Sequence, residues 1–260
     1  MTVDRVMLVM VNALLAVALI ALYTQPHERV LNLQPHDPQP HDSVQPHNSA
    51  PDPQPRKLFF DLGANCGNSY AYFQNPGSRV NTVITPDFMA YLFEPQPKVF
   101  ERWLKPLQQR VGERLHVFNA VVAASAGSVS FGVDTVPEFE VDTCGVMGQP
   151  YPHGGSSMFS DVNVNPQWVE VAAIDIAQFI LDLKVRPEDF VVMKMDIESQ
   201  EYIIMRHLLQ KGLLCLIDEL YIEWHRLPAQ ISPHLSKEVL KPAFEFLADG
   251  CVGHYRGDWI

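Results

Sequence analysis

Three groups of residues in this chain have types and spacings that could do chemistry. The first is Asp61 at the end of the apolar run 58–62 together with Gly63-Ala64-Asn65-Cys66-Gly67, the glycine-punctuated turn that follows it. Glycine lets a backbone turn tightly and approach a ligand, and a helix starting beyond Gly67 would present free N–H groups to a carboxylate or phosphate. Asp61, at a strand end, can accept from an ammonium group and would repel a diphosphate. Asp61, Gly63, Asn65 and Gly67 together therefore suit a zwitterionic ligand. The second group lies at two further strand ends. Glu94, ahead of Pro95, is placed to take both hydroxyls of a ribose, and Asn119 can contact a base edge or cap a local turn.

The third group is Asp196, Glu198 and Glu201 in the run 194–201, with His225 further on. Asp196, Glu198 and His225 are candidate general bases for removing a hydroxyl proton, His225 having an ordinary pKa near 6.5. Glu198 and Glu201, three residues apart, share a helical face; they can bind a polar ligand together or raise one another's pKa, and Glu201 also suits the helix dipole. Lys194, between apolar neighbours, is expected to pair with one of these acids. Asp196, Glu198, Glu223 and His225 would make an oxygen-rich divalent set, but nothing in their spacing selects it and no metal is assigned.

These residues need an open α/β sheet to bring them to one edge. Residues 58–62 read as a first strand, 69–73 as the helix after it, 90–93 and 115–118 as the next strands, and 219–222 as a later one. Asp175 reads as a helix N-cap. Residues 236–247 read as a helix stopped at Gly250, and 251–255 as a last strand. The ligand edge of such a sheet is the carboxyl edge. The dinucleotide fingerprint GxGxxG is absent, since Asn65 and Asn68 stand where its later glycines would fall, which argues against a nicotinamide oxidoreductase.

The ordered blocks DLGANCG (61–67), FEP (93–95), FNAVVAASAGSVSF (118–131), GGSSM (154–158), VVMKMDIESQEYIIM (191–205) and ELYIEWH (219–225) resemble the FkbM family of S-adenosylmethionine-dependent methyltransferases. Lys194, Asp196, Glu198 and Glu201 match its Lys-x-Asp-x-Glu-Gly-x-Glu signature, with Ser199 in the glycine's place. The resemblance implies a Rossmann-like class I methyltransferase fold, a mostly parallel sheet of seven strands with helices on both faces, in which one terminal strand of this chain is missing. It implies S-adenosyl-L-methionine as cofactor, held by Asp61, Gly63, Asn65, Gly67, Glu94 and Asn119. Asp196, Glu198 and His225 then act on a hydroxyl acceptor, most plausibly a glycan sugar. A catalytically inactive interaction domain on the same fold is the alternative, motivated by Ser199 and the short C-terminus.

The remaining features concern location. Residues 6–22 are apolar save for Asn12 and would span about 25 Å as a helix. This matches a thin membrane, and with a short N-terminus it resembles a type II signal anchor occupying residues 1–23, with the rest in the Golgi or endoplasmic reticulum lumen. Residues 24–57 carry eight prolines, no aromatic residue and Gln-Pro-His at 25, 34, 39 and 45, the composition of a disordered or polyproline spacer. The domain is expected over 58–260. Net charge is -11 with no basic cluster, which argues against nucleic acid. Four cysteines without a CxxC argue against structural zinc. They allow three complete pairings; Cys215 and Cys251 are candidates in an oxidising lumen, and Cys66 is expected to be a free thiol. Oligomeric state is left open, dimerisation being one way to cover an exposed sheet edge.

Overall fold

A computed structural model describes residues 54–135, 144, 156–160, 165–229, 231 and 236–257. The anchor and most of the stalk lie outside the described residues; among those described, no helix is long and apolar enough to cross a membrane. Residues Pro55–Ile260 form one compact unit. Its first strand, β1 (Lys57–Leu62), is followed by the short helix α1 (Asn68–Gln74) and by β2 (Phe88–Phe93). Next comes one continuous helical stretch, α2, made of Pro97–Val99, a π-helical turn Phe100–Leu104 and Lys105–Val111. Gln96 caps it, its Oε1 accepting from the Lys98 and Val99 amides, with Pro97 at the position where a missing N–H does no harm.

The main sheet has six strands in the order β3-β2-β1-β7-β8-β9, with β3 at Leu115–Phe118, β7 at Phe190–Met195, β8 at Glu219–Ile222 and β9 at His254–Gly257. Every pairing in it is parallel. This is an α/β architecture of the Rossmann-like kind. Among the described residues this sheet has six strands, and β9 starts three residues later than the sequence pattern suggests.

Parallel sheets are covered on both faces, so their central strands read as unbroken apolar runs. The neighbours Phe59 and Phe60 point to opposite faces for that reason. Phe59 packs on Phe73 of α1, ring centroids 5.0 Å apart, and Phe73 meets Tyr221 of β8 edge-on. On the other face Phe60, Tyr91, Phe93 and Phe118 surround the ring of Phe179 in α3 (Ile176–Asp182). Asp175 caps α3 as expected, accepting from the Ala177 and Gln178 amides at 3.0 and 3.1 Å. Helix α4 (Glu201–Gln210) follows β7, and α5 (Lys237–Asp249) outruns its expected end by two residues.

A second sheet was not part of the sequence reading. It joins β4 (Ala120–Ala123), β5 (Gly127–Asp134) and β6 (Pro166–Asp175) in the order β4-β6-β5, β4 parallel and β5 antiparallel to β6. The alternating residues Val121, Ala123, Phe131, Val133, Val171 and Ala173 form its buried face. Two disulfides close the loops. Cys215 pairs with Cys251, one of the options left open by the sequence, and Cys66 pairs with Cys144 rather than remaining a free thiol. The latter partners are 78 residues apart, which no local pattern could reveal.

The domain also starts earlier than residue 58. Arg56 donates from its backbone N and its guanidinium to the buried Asp189, and from Nη1 to the Leu183 carbonyl. Burial works against the Asp189 charge, but the bonds from Arg56 and Arg186 outweigh it and hold the carboxyl well below the usual aspartate range. A carboxylate with a depressed folded pKa stabilises above its unfolded value and loses that contribution as pH falls through the folded one. We therefore expect Arg56→Gln to lower unfolding free energy by about 1–2 kcal/mol at neutral pH, and by progressively less as the pH is taken below about 4, the unfolded aspartate value. Urea unfolding at a series of pH values checks this; an equal loss at every pH would refute it.

Candidate functional site

In an open α/β sheet the ligand crevice lies beyond the carboxyl ends of the strands, where the strand order reverses. Here the reversal falls between β1 and β7, so the loops after these strands face one another. Gly63 makes their contact possible. Its φ is +83°, and a Cβ there would lie 1.8 Å from the Asp196 carbonyl oxygen. The amides of Gly63 and Ala64 both donate to the Phe93 carbonyl at the end of β2, at 3.1 and 2.9 Å. Gly67, at φ +85°, opens α1, and Asn65 turns the loop at φ +45°.

Glu94 sits at the end of β2 inside this loop. Its Oε2 accepts from the Asn65 amide at 2.9 Å and its Oε1 from the Gln96 amide at 2.8 Å. Burial raises its pKa to about 7 in spite of those two bonds and of the Lys194 charge. Asn119 donates through Nδ2 to the Glu94 and Pro95 carbonyls, at 2.9 and 3.0 Å, which is the turn-capping option of the sequence reading. Gln96 was not singled out in the sequence. Its side-chain Nε2 is buried with no hydrogen-bond partner among the described residues. Only its place between two prolines at a helix start was visible beforehand, and that signals a cap.

Lys194, near the end of β7, is the innermost charge. It is 1% exposed, donates to the Gly63 carbonyl at 2.6 Å, and lies 3.2 Å from Asp61 and 3.4 Å from Asp196. Burial opposes its charge, but the two aspartates overcome that and raise its pKa above the lysine range. Asp61 is fully buried and also accepts from the Ser69 hydroxyl of α1. It therefore anchors the loop through Lys194 and Ser69.

At the mouth of the edge a second group surrounds His225, which follows β8. The fully buried Glu201 accepts from the Ile197 amide at 2.9 Å and lies 2.9 Å from His225 Nδ1. The opposite ring nitrogen, Nε2, lies 3.5 Å from Glu198, 3.7 Å from Asp196 and 3.7 Å from Glu223. Burial of the ring disfavours its charge, yet the bond to Glu201 and the charges of Glu201, Glu198 and Asp196 raise its pKa to about 10. Glu223 is raised by burial first and by Asp196 second. Glu201, which the sequence also allowed as a dipole-complementing acid, orients the histidine.

The turn bearing Glu198 is held from outside. Glu198 and Ser199 have φ of +52° and +84°, a region that favours glycine. Ser157 Oγ donates to the Glu198 carbonyl and Ser199 Oγ to the Arg226 carbonyl, both at 2.7 Å. Ser199 holds this backbone conformation with its own hydroxyl bonded to the Arg226 carbonyl. The structure brings Asp196, Glu198 and His225 together as one group, and places Asp61, Gly63, Asn65, Gly67, Glu94 and Asn119 around the neighbouring loop. A separate cavity of about 430 Å³ lies between α1 and α2, lined by Tyr72, Arg102, Trp103, Arg110 and the Cys66–Cys144 pair; none of Asp61, Glu94, Asp196, Glu198 or His225 lines it.

No protein-family model, curated protein or solved structure matches this chain.

Removing one partner of a buried ion pair leaves the other uncompensated, which typically costs about 3–5 kcal/mol. Lys194→Met should destabilise the domain by about that much, and adding Asp61→Asn should restore part of the loss. Denaturant unfolding of the single and double variants tests it; equal stabilities for Lys194→Met and the wild type would contradict the assignment.

Proposed function

We propose that this domain is an S-adenosylmethionine-dependent methyltransferase, similar to the FkbM family and to the class I methyltransferase fold, that acts on a hydroxyl oxygen. The observation that carries this reading is the crossing of the β1 and β7 loops at Gly63 and Asp196. The Glu94 loop, after β2, and the Asp196, Glu198, His225 group, after β7 and β8, stand on the two sides of that crossing. The residues fit the cofactor in one checkable respect: each Glu94 oxygen accepts one amide and keeps a lone pair for a ribose hydroxyl, and Gln96 adds an unused buried donor. Glu94 and Gln96 would hold the ribose end and the 63–67 loop the amino-acid end.

S-adenosylmethionine, if held there, would supply an electrophilic methyl group for transfer to an acceptor oxygen. The chain's part is to hold that oxygen in line and to take its proton. Asp196, next to Gly63, and Glu198 are the carboxylates placed to do so. Glu201 fixes the His225 ring, whose Nε2 faces both of them. Lys194 and Asp61 position the loop and do not touch the reacting atoms.

The acceptor we infer is a sugar hydroxyl on a glycan in the Golgi or endoplasmic reticulum, reached from a membrane anchor and stalk. Two disulfides use all four cysteines, which supports an oxidising compartment. Full-length protein isolated without reductant should take up no alkylating reagent, and four equivalents after reduction and unfolding. Uptake before reduction would argue against luminal placement.

Calorimetry of the full-length protein with S-adenosylmethionine and S-adenosylhomocysteine tests the enzyme reading. Glu94→Ala should weaken binding about tenfold or more, the loss of a charge-assisted hydrogen bond. Asp196→Asn should retain binding and lose transfer of labelled methyl to glycan acceptors. A folded wild type that binds neither ligand would overturn the reading and favour an interaction domain.

A further inference from the structure

The arrangement of oxygens and one nitrogen around His225 Nε2 differs from a hydrogen-bonded ion pair. Ligand atoms of Asp196, Glu198 and His225 all lie within 4.8 Å of one another. The separations from Nε2, 3.5 Å to Glu198 and 3.7 Å to Asp196 and Glu223, exceed the 2.7–3.2 Å of a hydrogen bond. Adjacent ligands on one octahedral ion with bonds of about 2.1–2.6 Å stand roughly 3.0–3.7 Å apart. The separations from Nε2 are those of ligands sharing a cation.

Two observations distinguish it from a chance gathering of acids. A histidine belongs to it, and the far ring nitrogen is held at 2.9 Å by the fully buried Glu201, the carboxylate–imidazole arrangement that orients metal-bound histidines. The other oxygen of that same carboxylate, Glu201 Oε2, is buried with no hydrogen-bond partner among the described residues.

We propose that Asp196, Glu198 and His225 bind one divalent cation of the manganese class, with Glu223 beside it. Two carboxylates and one imidazole match the mixed hard and borderline preference of such ions better than an all-oxygen calcium cage or a thiolate zinc site. The three ligands arise from the ends of two adjacent strands, β7 and β8, and each keeps part of its side chain exposed. A cation there would hold the acceptor hydroxyl of the proposed transfer and ease its deprotonation. That consequence rests on the methyltransferase reading; the site itself does not.

Electron paramagnetic resonance of Mn²⁺ titrated into the full-length protein reads the site directly. One equivalent should lose its free-ion signal at micromolar protein. Asp196→Asn and Glu198→Gln should each weaken that binding at least tenfold, whereas Glu101→Gln on the exposed face of α2 should not. Thermal unfolding of each variant separates lost ligands from lost fold, and Glu198, being partly exposed, is the safer of the two. Absence of stoichiometric binding by a cooperatively folded wild type, or binding unaffected by Glu198→Gln in a folded variant, overturns the proposal. Parallel calorimetry with S-adenosylmethionine keeps the readings apart: manganese binding without cofactor binding sinks the methyltransferase alone, and the reverse sinks the metal site alone.

Discussion

The buried ammonium of Lys194 is the interaction on which the rest of the carboxyl edge depends. A lysine removed from water is tolerated only when opposite charge and acceptors surround it, and here they come from three places: Asp61 on β1, Asp196 after β7, and the Gly63 carbonyl between them. One cation thereby locks the ends of the two strands at which the sheet order reverses. The contact of Gly63 with the Asp196 backbone then follows, because the loops are drawn to a distance that only a residue without a side chain can occupy.

Outward from that lock the charges become progressively more exposed. Asp61 and Glu201 are fully buried, whereas Asp196, Glu198, His225 and Glu223 keep a solvent-facing side. Several acids crowded in partial burial repel one another, and the imidazole among them relieves part of that repulsion, which is why its pKa rises despite its burial. Bonds that do not involve the charges also hold the site: Ser157 Oγ donates to the Glu198 carbonyl, Ser199 Oγ to the Arg226 carbonyl, and the Cys66–Cys144 disulfide tethers the glycine loop.

Local sequence reported the framework well. The unbroken run 58–62 marks a strand covered on both faces, Asp175 before an apolar helical stretch marks a cap, and the glycine punctuation of 63–67 marks a strand-to-helix turn; each depends on the chain within a few residues. The second sheet was less legible, although the alternation in 127–134 and 166–175 was present, because an alternating run shows which residues share a face without showing what that face packs on. Gln96 was overlooked for a similar reason: a glutamine between prolines reads as a cap, and its unused donor exists only because the chain around it is buried.

The sequence by itself therefore determined the α/β class, the strand ends that bear chemical residues, and the set of acids and histidine available there, since these follow from periodicity and residue type. Tertiary structure decided how those residues act on one another. That Glu201 serves His225, that Asp61 faces Lys194 across the strand order, and that Cys66 pairs 78 residues away are outcomes of long-range packing. Their physical reason is common: each is a contact between elements far apart along the chain, and its energy depends on burial that no single segment possesses.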